Sequence, residues 1–154
     1  MEILLMGLVI LGVGRVAEAV PLPDVLDEWH SSQAQTTHLT TSEELGRWTN
    51  RVYTRTTPIA GVEVNLMEGS GPGTLYVPEG EVTGNEGLLG FSSTYKTLTV
   101  AGKRAVLECG DVTGQALAVS LDKERTLTLE TKSLSEKELL DFAVKLIAAL
   151  EVSI

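Results

Sequence analysis

Lys96-Thr97-Leu98-Thr99-Val100-Ala101-Gly102-Lys103-Arg104-Ala105-Val106-Leu107-Glu108-Cys109 is the stretch that decides the fold. Two runs of alternating side chains flank Gly102-Lys103, a dipeptide suited to a two-residue type II′ hairpin turn with glycine at its first central position. That turn pairs Ala101 with Arg104, Val100 with Ala105, Leu98 with Leu107 and Lys96 with Cys109. The apolar pairs then share one face, while Thr99–Val106 and Thr97–Glu108 share the other, so turn and side-chain period agree on register. Cys109 is the only cysteine, so no intrachain disulfide can form. A lone thiol can be a nucleophile, an intermolecular bridge or a small buried hydrophobe. Its place on the face of Leu98 and Leu107 favours the last, an inert structural thiol.

Strand patterning extends to both sides of this hairpin. A second hairpin turns at Asp122 to Arg125, with Leu117, Val119 and Leu121 inward on one strand and Leu127 and Leu129 on the other. Keeping those side chains on one face requires a loop of odd length. Upstream, Val62, Val64 and Leu66 repeat at period two. In residues 47–56, Trp48 and Val52 fall on one face and Arg47, Arg51, Tyr53 and Arg55 on the other. The chain then closes with a helix. Ser135 as N-cap puts Glu138 at the capping-box position and sets Leu134 to staple against Leu139. Leu139, Phe142, Ala143, Leu146, Ile147 and Leu150 form one apolar stripe, with Lys137, Asp141 and Lys145 outside it.

The N-terminal third reads differently. Leu22, Val25, Leu26 and Trp29 at i, i+3, i+4 and i+7 predict a short amphipathic helix over residues 21–31, with Pro23 and Asp24 in its first turn. The Ser-, Thr- and Gln-rich residues 31–41 read as a surface linker, and Thr41-Ser42-Glu43-Glu44 has capping-box spacing for one helical turn ending at Gly46. A glycine-dense segment from Gly69 to Gly90 is long for a loop in a compact domain, so it is either mobile or functional. The fold expected is α+β: an antiparallel β-meander of about five to six strands, with the C-terminal amphipathic helix packed on one face and a short N-terminal helix.

Ahead of this domain, the apolar run Ile3 to Gly14 followed by Ala17-Glu18-Ala19 has the form of a secretory signal peptide, cleaved to leave Val20 first. The run is too short for a membrane-spanning helix. No basic residue precedes it, and Glu2 stands where a lysine is usual; the competing reading is a buried N-terminal strand or helix. The expected organisation is a signal peptide at 1–19 and a single α+β domain at 20–154, exported to a periplasmic or extracellular location, with no stable membrane span after cleavage.

At 154 residues, with 43% hydrophobic and 21% charged side chains, the chain has ordinary globular composition and length for one core. Its formal net charge is −9; removing Glu2, Glu18 and Arg15 with the leader leaves −8. Such a field repels polyanions, so nucleic acid is not an expected partner.

Residues 96–150 resemble PsbP-like exported domains. The resemblance lies in Val100-Ala101-Gly102-Lys103-Arg104-Ala105, in Ala116-Leu117-Ala118-Val119, and in Thr126-Leu127-Thr128-Leu129-Glu130 followed by Ser135-Glu136-Lys137-Glu138-Leu139-Leu140-Asp141-Phe142-Ala143. It covers about a third of the chain, and it implies a central antiparallel sheet carrying helices on its faces. It also implies binding to other proteins or envelope components without catalysis; it carries over no functional residue.

The chemistry-bearing residues are few. His30 and His38 have no further histidine or cysteine at ligand spacing, so no metal and no cofactor is expected. No G-x-S-x-G elbow occurs, and Asp111-Val112-Thr113-Gly114 reads as a turn. Gly69-Ser70-Gly71-Pro72-Gly73 lacks the lysine of a phosphate-binding loop, and Glu79, Glu81 and Glu86 fit no calcium loop. The one constellation with binding chemistry is Arg47, Arg51, Tyr53 and Arg55, three guanidinium groups and a phenol on one strand face of an acidic protein. Arginine forks recognise carboxylates and phosphates, so this face suits an anionic small ligand or an envelope protein. The bland reading is an exposed sheet face balanced by carboxylates such as Glu63. Arginines lining a concavity without carboxylates in reach would separate the two. A non-enzymatic exported binding domain is therefore the expected function. The alternatives are a small-ligand carrier with an apolar cavity between sheet and helix, and an enzyme with its site in segment 69–90.

Overall fold

The computed structural model describes residues 22–40, 45–69, 84–86 and 93–152. The leader, Thr41 to Glu44 and most of segment 69–90, including the proposed enzyme site, lie outside the described residues. The elements are β1 (Val25–Leu26), β2 (Trp29–Ser31), β3 (Gln35–Thr40), β4 (Leu45–Thr56), β5 (Ile59–Gly69), β6 (Gly84–Glu86), β7 (Ser93–Val100), β8 (Lys103–Gly110), β9 (Gly114–Ser120), β10 (Arg125–Thr131) and α1 (Glu136–Val152).

All strands pair antiparallel in one sheet of order β1-β2-β4-β5-β10-β9-β8-β7-β6, with β3 also on β4. Two meanders, β1–β5 and β6–β10, thus join at the β5–β10 seam. The ten strands among the described residues exceed the expected five to six. The glycine-dense segment supplies one of the extra strands, Gly84–Glu86, which pairs with β7, and two further segments read otherwise supply β1, β2 and β3.

The first is residues 21–31. No helix forms among the described residues there; β1 and β2 make a tight hairpin around Asp27, whose φ of 51° lies in the left-handed region. Leu26 and Trp29 are cross-strand partners and so point the same way, which mimics one helical face. Val25, which the helix stripe would bury, is 57% exposed. His30 therefore sits in a strand opposite Thr54. The second is the supposed linker, where Gln35 to Thr40 pair with Leu45 to Asn50. Its threonines need no apolar period, because β-branched side chains suit a pleated edge strand. Between β2 and β3, Ser32 bridges to β4, its amide donating to Val52 O (2.8 Å) and its hydroxyl accepting from the Val52 amide (3.0 Å). Leu45 and Gly46 likewise belong to β4 rather than to a helical turn.

The β7–β8 turn is Ala101-Gly102, both with positive φ (50° and 75°), as a type I′ turn requires, instead of Gly102-Lys103. Val100 pairs with Lys103, Leu98 with Ala105 and Lys96 with Leu107, a shift of two residues from the expected register. An even shift leaves every side chain on its face, so Val100, Ala105 and Leu107 are still buried and Cys109 still packs against the core. The β9–β10 loop leaves three residues, Asp122 to Glu124, between Leu121 and Arg125, whose backbones bond; its odd length keeps Leu117, Val119, Leu121, Leu127 and Leu129 all inside.

Helix α1 covers this inner face. Ser135 caps it reciprocally with Glu138: the Glu138 amide donates to Ser135 Oγ (3.3 Å) and the Ser135 amide to Glu138 Oε2 (2.9 Å). The stripe from Leu139 to Leu150 is buried against Val62, Val64, Leu66, Leu107, Leu117, Leu127 and Leu129 in one core cluster. It is the sole helix among the described residues and lies on one face, where the resemblance implied helices on both. It is neither long nor apolar enough to cross a membrane.

Candidate functional site

Strand β4 divides the molecule into two unlike surfaces. Its odd-numbered positions face α1 and its even-numbered positions face away, so the arginine row lies on the inner side and Trp48 and Val52 are the exposed residues, at 40% and 37%. The bland reading of the arginine face as an exposed surface is thereby overturned. The four candidate residues are brought together along one row, but each is engaged within the fold.

Arg47 meets Glu68, its cross-strand neighbour, through Nε and Nη2 (both 2.9 Å). Arg51, only 7% exposed, donates from Nη1 to the Leu22 carbonyl (2.7 Å) and to Asp24 Oδ1 (2.6 Å). Its Nε is buried with no partner. Tyr53 is fully buried and donates its hydroxyl to the Pro23 carbonyl (2.8 Å). Burial pushes its phenol up to about 12, against the opposing pull of the Arg51 guanidinium. Arg55 reaches Glu28 (3.9 Å) and Glu138 (3.4 Å) and lies 4.9 Å from the centre of the Trp29 ring, a cation–π contact. Phe142 stands between Trp29 and Tyr53, edge-on to both at 5.0 and 5.5 Å. A small cleft of about 140 Å3 between β2, β4 and α1 is lined by this same network, including Glu28, Arg55, Glu138 and Lys145.

Chemically, this row is a clasp. It ties the N-terminal segment Leu22 to Glu28 onto β4, beside α1. The carboxylates in reach are Asp24, Glu28, Glu68 and Glu138; Glu63, the partner the sequence suggested, points to the opposite face and accepts from Asn50. Guanidinium groups already paired with carboxylates offer little to an added anion.

The helix-free face carries a different set. Along it, Gln35, Asn50, Asn65 and Thr128 are successive cross-strand neighbours, and beside them run Thr37, Trp48, Met67 and Thr126. Gln35, Thr37, Trp48, Asn50 and Glu63 line a cleft of about 250 Å3. Its geometry is set by hydrogen bonds: Trp48 Nε1 donates to Asn65 Oδ1 (2.8 Å), and Asn50 Nδ2 to the same oxygen (2.8 Å) and to Glu63 Oε1 (2.9 Å). The sequence reading missed this group. Its signal was an aromatic at an even β4 position, in step with Asn50, where alternation already separated it from the arginines.

Among the described residues no three His, Cys, Asp or Glu side chains converge as metal ligands. Cys109 has its thiol pushed up, first by burial and then by the negative charge of Glu136, which favours the protonated form over the nucleophilic thiolate. Gly114, closing the Asp111-Val112-Thr113 turn, adopts φ 83°, and a Cβ there would stand 2.3 Å from the Thr131 carbonyl oxygen. The chain matches no protein-family model, no curated protein and no solved structure.

Proposed function

We propose that this chain is an exported, non-enzymatic binding domain, periplasmic or extracellular, that recognises an envelope protein or another envelope component through the helix-free face of its sheet. The observation that carries the reading is the contrast between the two faces. One is closed by α1 and the N-terminal hairpin, while the other presents Trp48 and Val52 to solvent beside a polar recess. The PsbP-like resemblance of residues 96–150 points the same way. A carrier would need an empty apolar interior, whereas the space between sheet and helix is taken by Phe142, Leu146, Ile147 and the sheet leucines. An anionic ligand on the arginine row would have to displace Asp24, Glu28, Glu68 and Glu138.

The test is fractionation of cells expressing the gene from its native start, followed by intact mass and a pull-down from envelope extract. A mass starting near Val20 in the extracytoplasmic fraction, with a retained partner, is the expected result. Full-length protein in the cytosol would refute export.

A further inference from the structure

We propose that the cleft between β3, β4 and β5 on the helix-free face is a saccharide-binding site, taking one ring of a neutral glycan against the indole of Trp48. This deepens the binding-domain reading and rests on it for the location of the working face. At about 250 Å3 the recess is smaller than the pockets of drug-sized ligands, ~300–1,000 Å3. Its size suits a single ring.

Its chemistry selects the ring. The indole is 40% exposed in mid-strand, and its N–H is already committed to Asn65. What it offers a ligand is therefore its π-face, held in place by that bond. A negative π-face suits C–H groups, which carry partial positive charge, and a pyranose presents a patch of them on one side with hydroxyls around its rim. The rim is matched by the Gln35 amide and the Thr37 hydroxyl, which both donate and accept, and by the Asn50 amide oxygen and the Glu63 carboxylate as acceptors, the Asn50 N–H groups being already committed to Glu63 and Asn65. Asn50 orients Glu63 through a 2.9 Å bond, so the acceptor is positioned in advance, which lowers the ordering cost of binding. No lysine or arginine is among the described lining residues, so a phosphorylated or carboxylated ligand finds no counter-charge in them. A proline-rich peptide also stacks on indole, but its grooves are aromatic-lined, and here Trp48 is the one aromatic among the described lining residues, ringed by polar side chains.

The full chain is titrated, by intrinsic tryptophan fluorescence and calorimetry, with tetrasaccharides of β-1,4-linked N-acetylglucosamine, β-1,4-glucose and α-1,4-glucose, and with a proline decapeptide. At least one saccharide is expected to bind with Kd of about 10 μM–1 mM. Trp48→Ala should weaken it by about tenfold or more, Trp48→Phe by less because a ring face remains, and Gln35→Ala measurably. Gln35 is an exposed edge-strand residue, so its variant keeps the test valid even if Trp48→Ala loses stability. Binding of none of the saccharides, unchanged affinity in both alanine variants, or Trp48-dependent binding of the peptide alone would each overturn the proposal. The envelope pull-down separates this failure from that of the broader reading. A partner retained equally by wild type and Trp48→Ala, with no saccharide bound, discards the glycan site and leaves the binding domain standing.

Discussion

Replacing Arg51 separates a structural clasp from a ligand site, because the two ends of its ion pair sit in different media. The Arg51 side chain is 8% exposed and that of Asp24 86%. Asp24→Asn removes a charge that water screens, so it should cost less than about 1 kcal/mol despite the 2.6 Å contact. Arg51→Ala removes more: the charge-assisted bond to the Leu22 carbonyl, worth about 1.5–3 kcal/mol, and the buried aliphatic stem beneath it. The sum is about 2–4 kcal/mol. Urea denaturation of wild type, both single variants and the double variant measures this directly, and the coupling energy between the two sites should stay below about 1 kcal/mol. Equal losses in the two single variants would refute the burial asymmetry. An Arg51→Ala protein of wild-type stability would refute the clasp and return the arginine row to consideration as a binding surface.

Phe142 joins Trp29 and Tyr53 at the centre of the inner layer, so Phe142→Ala should cost about 3–5 kcal/mol by denaturant titration. Gly114→Ala should lose more than about 1 kcal/mol, because φ is positive and the obstacle is the Thr131 backbone, which cannot turn aside; Gly102→Ala, with open space around it, should lose less. The Glu138 carboxyl is held below its ordinary value by the Ser135 amide, then by the Ser135 hydroxyl and Arg55. Its stabilising effect is therefore present above the unfolded-state value and lost as pH falls through the lower folded-state value. Glu138→Gln should lower Tm at pH 7 and converge with wild type on acidification; a constant Tm gap down to pH 3 would argue against the capping carboxylate.

Where a residue's face follows from period and an anchored end, the sequence was legible. Ser135 and Glu138 announce α1 with its correct stripe. The odd-loop rule for Leu121 and Arg125 holds because parity alone decides it. The β7–β8 register slipped, yet its faces survived, since a shift from Gly102-Lys103 to Ala101-Gly102 is even. Residues 22–29 were not legible: a hairpin that pairs Leu26 with Trp29 reproduces the spacing of a helical stripe, and only the exposed Val25 breaks the ambiguity.

The face proposed for binding was lost for a deeper reason. Alternation in β4 partitions its residues into two sets but carries no sign, and hydrophobicity supplied the wrong one. Trp48 and Val52 look like the core set and the arginines like the solvent set. The sign is fixed by distant residues, through the Leu22 and Pro23 carbonyls and the Asp24 and Glu138 carboxylates that neutralise the inner row. Once those partners accept the guanidinium groups, the inner face can hold them. The period-two constraint then forces Trp48 outward, beside Asn50, Asn65 and Glu63. An inward arginine row and an outward tryptophan are thus one decision, so Arg51→Ala and Trp48→Ala should separate cleanly: the first loses stability, the second loses ligand.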